Sequence, residues 1–211
     1  MKLLKKLKPY LMGFEHDIFI AFAPASGTEN QASTDWSLKF CEYLTLLMNR
    51  LSDKKLTFLT HDDLRMRQSV LGETTGNVFS STAVFIVVIT PEFIQSSSYQ
   101  KELDDMCGFV FNGEDKKLKQ HRVFKVYTQP VSPDAEPSCL KNGRSYNFFE
   151  INRYNKKPVT LDLTGKDGAN EKYWSKLVDL AYDVINVISE LTGKTNGIGQ
   201  PSANCPAVFL A

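Results

Sequence analysis

Paired cysteines, long apolar runs and an excess of one charge are all missing from this sequence. Its 211 residues carry a formal net charge of +1, so the totals favour neither nucleic acid nor a membrane surface as a partner. The four cysteines form no CxxC pair, which argues against structural zinc and a dense disulfide framework and makes a reducing cytoplasm the expected location. No apolar run approaches the roughly 18 residues that a membrane span needs. What remains is the composition of an ordinary globular domain, with 42% hydrophobic residues.

The two ends of the chain differ in composition from the middle. Residues 1–14 are a basic lead-in whose apolar residues are split by lysines, so neither a signal peptide nor an anchor is predicted. Residues 15–192 carry the strand and helix patterns and are predicted to form one domain. Residues 193–211 begin as a Gly-, Pro- and Ser-rich linker and turn apolar at Cys205. That ending predicts either the first strand of a truncated second domain or a tail that packs back on the sheet.

The most informative stretch is residues 84–110. Its first six residues are continuously apolar and rich in β-branched side chains, which is typical of a strand buried on both faces. Thr90-Pro91 stops this strand and predicts a short helix. Ser98 is the predicted N-cap of a second helix, which carries one apolar face: Tyr99, Leu103, Met106, Cys107 and Val110. Glu102 is then expected in the first turn of that helix, near the carboxyl edge of the sheet where open α/β proteins bind ligands.

The other segments predict alternating strands and helices. Further strands are expected at residues 17–23, 55–60 and 121–127, with a fifth at either 146–152 or 158–163. Helices are expected from Asp35 or Trp36 to Leu51, from about Ser69 to Ser81, and over residues 174–191, where Gly193 ends the last one. Residues 61–69 are predicted to be a charged loop, and residues 129–143 a long irregular excursion. This order predicts an α/β fold with a central, mostly parallel five-stranded sheet and helices on both faces.

Three segments in this order resemble Toll/interleukin-1 receptor (TIR) domains. Asp17-Ile18-Phe19-Ile20-Ala21-Phe22 resembles the first strand of that family, and residues 61–69 lie where the family has its BB loop. The third segment resembles the family's third strand and the helix with its catalytic glutamate, usually written S-x-W-C-x-x-E-L. It consists of Val87-Val88-Ile89-Thr90-Pro91-Glu92-Phe93 followed by Ser98-Tyr99-Gln100-Lys101-Glu102-Leu103. The tryptophan and cysteine of that pattern are absent, as are the proline and glycine frequent in the BB loop. The resemblance covers about Glu15 to Thr192 and implies a flavodoxin-like fold.

The resemblance also implies a function. Many bacterial, plant and some animal TIR domains cleave the nicotinamide–ribose bond of NAD+, whereas others only recruit partners. For this chain it implies NAD+ as a substrate, no cofactor and no metal. It further implies homo-oligomerisation with other TIR domains, a C-terminal sensor domain, and a role as a bacterial immune effector in the cytoplasm. Contact with nucleic acid or membrane is not expected of this domain.

The resemblance implies that Glu102 is the catalytic residue. The candidates for substrate binding are Phe22, Ala23, Pro24, Asp62, Arg65 and Tyr99. Tyr99 would stack on nicotinamide or adenine, or else only fill the seam between helix and sheet. Arg65 and Arg67, with Asp62 and Asp63, would pair with the substrate's phosphates or with a neighbouring subunit, or else form an ordinary exposed charged loop. Phe22 would line the pocket or belong to the core.

The chemistry of this bond requires only one carboxylate. Departure of neutral nicotinamide builds positive charge on the ribose, as in glycoside hydrolysis. An anion that binds the ribose hydroxyls and faces that charge stabilises the transition state more than the ground state. Attack by water gives ADP-ribose, and attack by a group of the same molecule gives a cyclic product.

Two other functions remain open from the sequence. One is a non-catalytic TIR module that recruits another TIR domain through residues 62–68. The other is an α/β enzyme that transfers nucleosides and carries a lone glutamate. The three histidines, His16, His61 and His121, are scattered along the chain, so neither a zinc site nor a catalytic triad is expected.

Overall fold

The core of the protein is one five-stranded sheet. A computed structural model describes residues 14–23, 31–111, 121–132, 135–136, 140–141, 143–163 and 169–191. The strands are β1 (His16–Ala21), β2 (Phe58–Thr60), β3 (Thr82–Ile89), β4 (Val123–Tyr127) and β5 (Arg144–Asn147). They are ordered β2-β1-β3-β4-β5, and every neighbouring pair is parallel. This is the strand order of flavodoxin-like α/β proteins, and it confirms the predicted fold class.

Helices cover both faces of the sheet. They are α1 (Gln31–Leu51), α2 (His61–Leu71), α3 (Thr75–Ser80), α4 (Pro91–Gln95), α5 (Ser97–Phe111) and α6 (Ala169–Leu191). Ile18 and Ile20 of β1 point to the face covered by α1 and α6. Phe19 and Ala21 point to the face covered by α2, α3, α4 and α5. All eight residues of β3 are buried, as expected for a central strand between two helical layers.

The prediction of a charged loop at residues 61–69 is wrong, because this segment is the helix α2. The Asp63 carboxylate accepts hydrogen bonds from the backbone N–H and the hydroxyl of Thr60, at 2.8 and 2.9 Å. Such a contact satisfies a donor that the first helical turn would leave unpaired. The helix ends at Gly72, which adopts a left-handed conformation with φ 67°. The bounds of the helix predicted over residues 69–81 are also wrong. Helix α2 ends at Leu71, and Thr75–Ser80 forms the separate helix α3.

The region after β3 follows the predicted order with a shifted boundary. The short helix after Thr90 is confirmed as α4, and the Thr90 hydroxyl accepts a hydrogen bond from the Phe93 N–H at 3.2 Å. Ser98 is not an N-cap, because α5 already begins at Ser97 and the Gln100 N–H donates to the Ser96 carbonyl. Glu102 is therefore the sixth residue of α5 and lies in its second turn, not its first.

The fifth strand lies slightly earlier than predicted. β5 covers Arg144–Asn147, and the rest of the candidate region forms a separate antiparallel hairpin of β6 (Phe149–Ile151) and β7 (Pro158–Thr160). The alternative of a fifth sheet strand at residues 158–163 is therefore wrong. The last helix begins at Ala169, five residues before its predicted start. Pro24, Gly193, the lead-in before residue 14 and the terminal segment from residue 192 onward lie outside the described residues.

Three observations bear on the predicted cytoplasmic location. Cys41 is a free thiol, and burial raises its pKa to about 12. Cys107 on α5 is disulfide-bonded, a state that proteins of a reducing cytoplasm seldom keep. Among the described residues, no helix is both long enough and apolar enough to cross a membrane. A cytoplasmic location therefore stays a prediction.

Candidate functional site

A small cavity opens at the carboxyl ends of the strands, between the sheet and α5. In this strand order the chain leaves β1 toward β2 on one side and reaches β3 on the other, so a crevice forms where the direction reverses. The cavity has a volume of about 10 Å³ and is lined by side chains of β1 and the four helices on this face: Phe19, Ala21, His61, Phe79, Phe93, Tyr99, Glu102, Leu103 and Met106. Its walls are mainly aromatic and aliphatic. Glu102 is the acidic residue among them.

Glu102 is held by a histidine. Its Oε1 lies 2.9 Å from Nδ1 of His61. The His61 side chain is 6% exposed and that of Glu102 is 24% exposed, so the carboxylate lies between a buried ring and solvent. A carboxylate can only accept hydrogen bonds, so Nδ1 of His61 is the donor. The contact removes torsional freedom from a long acidic side chain at the mouth of the cavity.

His61 has an apolar environment on its other sides. Its ring contacts Phe19, Phe22 and Tyr99 in edge-to-face geometry, with ring centroids 5.5, 6.3 and 5.4 Å apart. The second ring nitrogen, Nε2, is buried and has no hydrogen-bond partner among the described residues. A buried nitrogen without a partner is unusual in a folded protein and calls for a physical explanation.

Tyr99 forms the outer wall of the cavity. Its ring stacks on Phe93 with the centroids 5.7 Å apart and the planes 19° apart. Nη2 of Arg65 donates to the Tyr99 hydroxyl over 3.4 Å. Burial raises the pKa of the Tyr99 hydroxyl although the Arg65 guanidinium acts in the opposite direction. Tyr99 is therefore a neutral phenol at physiological pH and presents an uncharged aromatic edge beside Glu102.

The other predicted site residues do not line the cavity. Arg65 and Asp62 are exposed on α2 and face each other at 3.8 Å, and Arg65 reaches the site only through its contact with Tyr99. Phe22 is buried in the cluster on the α1 and α6 face, although its ring contacts His61. Ala23 is buried on the same face as Glu102. Pro24 is outside the described residues.

Sequence reasoning missed His61. It is the first residue of α2 and directly follows β2. Because β2 and β3 flank β1, the residues that follow these two strands meet at the same edge of the sheet. The signal that could have found it was Thr60 followed three residues later by Asp63, a pattern that places a helix start, and hence His61, directly at the strand end.

The arrangement favours stabilising a positive charge more than binding a metal. In the part of the chain that the structure describes, no three His, Cys, Asp or Glu side chains come together as metal ligands. Glu102 instead places one oriented, partly exposed carboxylate beside apolar and aromatic walls. Electrostatic attraction to a developing cation is stronger there than in bulk water. A comparison with models of known protein families found no match for this chain, and a comparison with characterised proteins found none either.

Proposed function

We propose that this protein cleaves the nicotinamide–ribose bond of NAD+, as the enzymatic TIR domains that it resembles do, with Glu102 as the catalytic carboxylate. The observation that carries the proposal is the position of Glu102. Its carboxylate is partly exposed, is oriented by His61 at 2.9 Å, and lines a cavity at the carboxyl ends of the strands. That is where open α/β sheets bind ligands.

The reaction follows from one fixed anion. In NAD+ the bond between ribose C1′ and the pyridinium nitrogen breaks, and its electron pair leaves with nicotinamide, which becomes neutral. The ribose then carries the positive charge, which Glu102 faces while accepting hydrogen bonds from the ribose hydroxyls. Water adds to C1′ and releases one proton, giving ADP-ribose. An internal nucleophile of the same molecule gives a cyclic product instead.

The walls of the cavity suit the leaving group. Tyr99 and Phe93 form a stacked aromatic pair, and aromatic faces bind flat or cationic rings favourably. The neutral hydroxyl of Tyr99 adds a hydrogen-bonding group without a competing charge. A pyridinium ring beside Glu102 and Tyr99 would lose its charge as the bond breaks, while the ribose next to the carboxylate gains it.

The size of the cavity supports a requirement for self-association. Its volume of about 10 Å³ is far below the roughly 300–1,000 Å³ of typical small-molecule sites. Nicotinamide therefore does not fit inside the cavity of one subunit, and NAD+ would bind at its mouth, beside Glu102 and Tyr99. A second copy of the domain packed at this edge would complete the site.

The direct test is release of nicotinamide from NAD+, measured by chromatography with purified protein. Glu102→Gln keeps the shape of the side chain and removes its charge, so we expect the rate to fall by about 100- to 1,000-fold, the range for losing one preorganised electrostatic group. Asp105→Asn removes an exposed carboxylate from the same helix and should leave the rate unchanged. Equal loss in both variants would remove Glu102 from the mechanism.

A second candidate function is a non-catalytic adaptor that binds another TIR domain through α2. Met66, Val70 and Leu71 on this helix are exposed large apolar residues, and exposed apolar patches often mark protein–protein contacts. The adaptor predicts self-association without NAD+ turnover at any protein concentration. Wild-type turnover that depends on Glu102 would exclude it as the sole function.

A further inference from the structure

We propose that His61 is a positioning residue that holds Glu102 as an electrically neutral donor, fixing the carboxylate without cancelling its charge. The inference rests on the proposed function for its catalytic meaning. The position of the ring proton can be tested separately, because the proposal places the proton of His61 on Nδ1 and leaves Nε2 unprotonated.

The backbone and the ring of His61 are both held in place. His61 begins α2, and its backbone position is fixed by the contacts of Thr60 with Asp63 at the helix start. The ring is 6% exposed and is confined by Phe19, Phe22 and Tyr99. A donor on such a rigid base restricts where the Glu102 carboxylate can lie. A displacement of about 1 Å in a catalytic group can reduce a rate on the order of 100-fold.

Nε2 of His61 is buried and has no hydrogen-bond partner within the described ranges. If His61 were an imidazolium, Nε2 would carry a proton with no acceptor, in surroundings made largely of aromatic rings. Burying an unpaired charged donor is far less favourable than burying an unpaired lone pair. The orphaned nitrogen therefore disfavours the doubly protonated ring, and the neutral form with hydrogen on Nδ1 satisfies the contact with Glu102.

A neutral donor leaves the charge of Glu102 available for catalysis. A lysine or a charged histidine at this place would neutralise Glu102 before the ribose becomes positive, and so would favour the ground state. A neutral N–H orients the carboxylate and leaves its full charge for the transition state, which is where binding energy accelerates the reaction. Three other charged side chains lie near this end of α2. Asp62 and Arg65 are exposed and pair with each other, and the Asp63 carboxylate accepts hydrogen bonds from Thr60.

Two variants separate positioning from packing. His61→Asn retains a donor, because the amide nitrogen of asparagine and Nδ1 of histidine are both attached to Cγ. His61→Phe retains an aromatic ring but has no donor. We expect kcat to fall about 10- to 100-fold in His61→Phe and to recover most of the wild-type value in His61→Asn. If His61 only fills space, the smaller asparagine should be the worse variant in both kcat and thermal stability, and that order would overturn the proposal.

A spectroscopic measurement tests the proton assignment without any turnover. Long-range proton–nitrogen spectra of protein labelled with nitrogen-15 distinguish the two neutral tautomers from the imidazolium, and His61→Asn identifies the signal among the three histidines. We expect the Nδ1–H tautomer in the wild type at neutral pH and its loss in Glu102→Ala. An imidazolium or an Nε2–H tautomer in the wild type would overturn the proposal. Absence of NAD+ turnover with the expected tautomer would instead reject the proposed function and leave His61 as the holder of Glu102.

Discussion

His16, at the start of β1, is the second histidine with a buried Nε2 that has no hydrogen-bond partner in the part of the chain that the structure describes. Burial lowers its pKa, with Arg67 acting in the same direction and Glu15, Glu73 and Asp17 opposing. The ordinary histidine pKa is 6.5, so the unfolded chain binds a proton at this position more readily than the folded protein does. The stability contributed by neutral His16 is therefore complete above about pH 6.5 and is lost as the pH falls through the lower pKa of the folded state.

We expect His16→Leu to flatten this part of the pH dependence. The substitution replaces an unpaired buried nitrogen with carbon, so the free energy of unfolding should decrease less than that of the wild type between about pH 7.5 and about pH 5. Urea denaturation at several pH values measures the slope. His121→Gln is the matched control because His121 is exposed, and it should keep the wild-type slope. An unchanged slope in His16→Leu would contradict the assignment.

Of the residues at the candidate site, the sequence predicted Glu102 and Tyr99 and missed His61. Glu102 could be predicted because it follows a buried strand at a short distance, so its location needs only local information. His61 is 41 residues away, and its contact depends on the strand order, in which β1 separates β2 from β3. The position of Tyr99 near Glu102 could be predicted from α5 alone, whereas its stacking on Phe93 depends on the turn between α4 and α5.

Among the elements, β4 carries an unusual buried ion pair. Nζ of Lys125 lies 2.6 Å from Oε1 of Glu136, and these side chains are 4% and 15% exposed. The Tyr127 hydroxyl donates to the same oxygen at 2.5 Å. Burial acts to raise the pKa of Glu136, but the hydrogen bonds from Lys125 and Tyr127 outweigh it and lower the pKa. The pair attaches residues 135–136 of the long excursion to the sheet.

Breaking this pair from one side should be strongly destabilising. Glu136→Leu leaves the Lys125 ammonium buried without its partner, and we expect the free energy of unfolding to fall by about 3–5 kcal/mol. The double variant Lys125→Met with Glu136→Leu removes both charges and should lose much less, because apolar side chains can replace a buried ion pair. Urea unfolding at neutral pH compares them. A double variant less stable than Glu136→Leu would contradict this account.

Composition misled the prediction for α2. The segment is rich in charges, and only His61 and Leu64 are buried on this helix, so the apolar periodicity that identifies a surface helix is absent. What makes it helical is the Thr60 and Asp63 contact at its start and the left-handed Gly72 at its end. End signals of this kind lie in the sequence, but they are easily mistaken for turn residues when no apolar stripe joins them.

For the whole molecule, the alternation of strands and helices was enough to predict the sheet and its two helical layers. The hairpin of β6 and β7 was not predicted, because two strands of three residues each are too short to give a periodic pattern. It is connected to the main sheet through the Phe148 N–H, which donates to the Tyr127 carbonyl of β4, and Trp36 Nε1 donates to the Leu161 carbonyl. Such contacts depend on the folded core.

The small cavity predicts that activity depends on protein concentration. If a second subunit completes the site, the specific activity should rise as the protein is concentrated, because association follows mass action. Val70→Asp places a charge on the exposed apolar face of α2 and should abolish the rise. Leu38→Asp, at an exposed position on α1 across the sheet, should retain it. A specific activity that stays constant over a wide dilution series would rule out this requirement.

We propose that a single oriented carboxylate drives the loss of nicotinamide from NAD+, and one measurement tests this proposal most directly. Nicotinamide formed from NAD+ is quantified at high protein concentration for the wild type, Glu102→Gln and Asp105→Asn, with folding verified by circular dichroism. We expect release by the wild type and by Asp105→Asn, and a loss of about 100-fold or more in Glu102→Gln. Release that persists in folded Glu102→Gln, or no release by the concentrated wild type, would contradict the account.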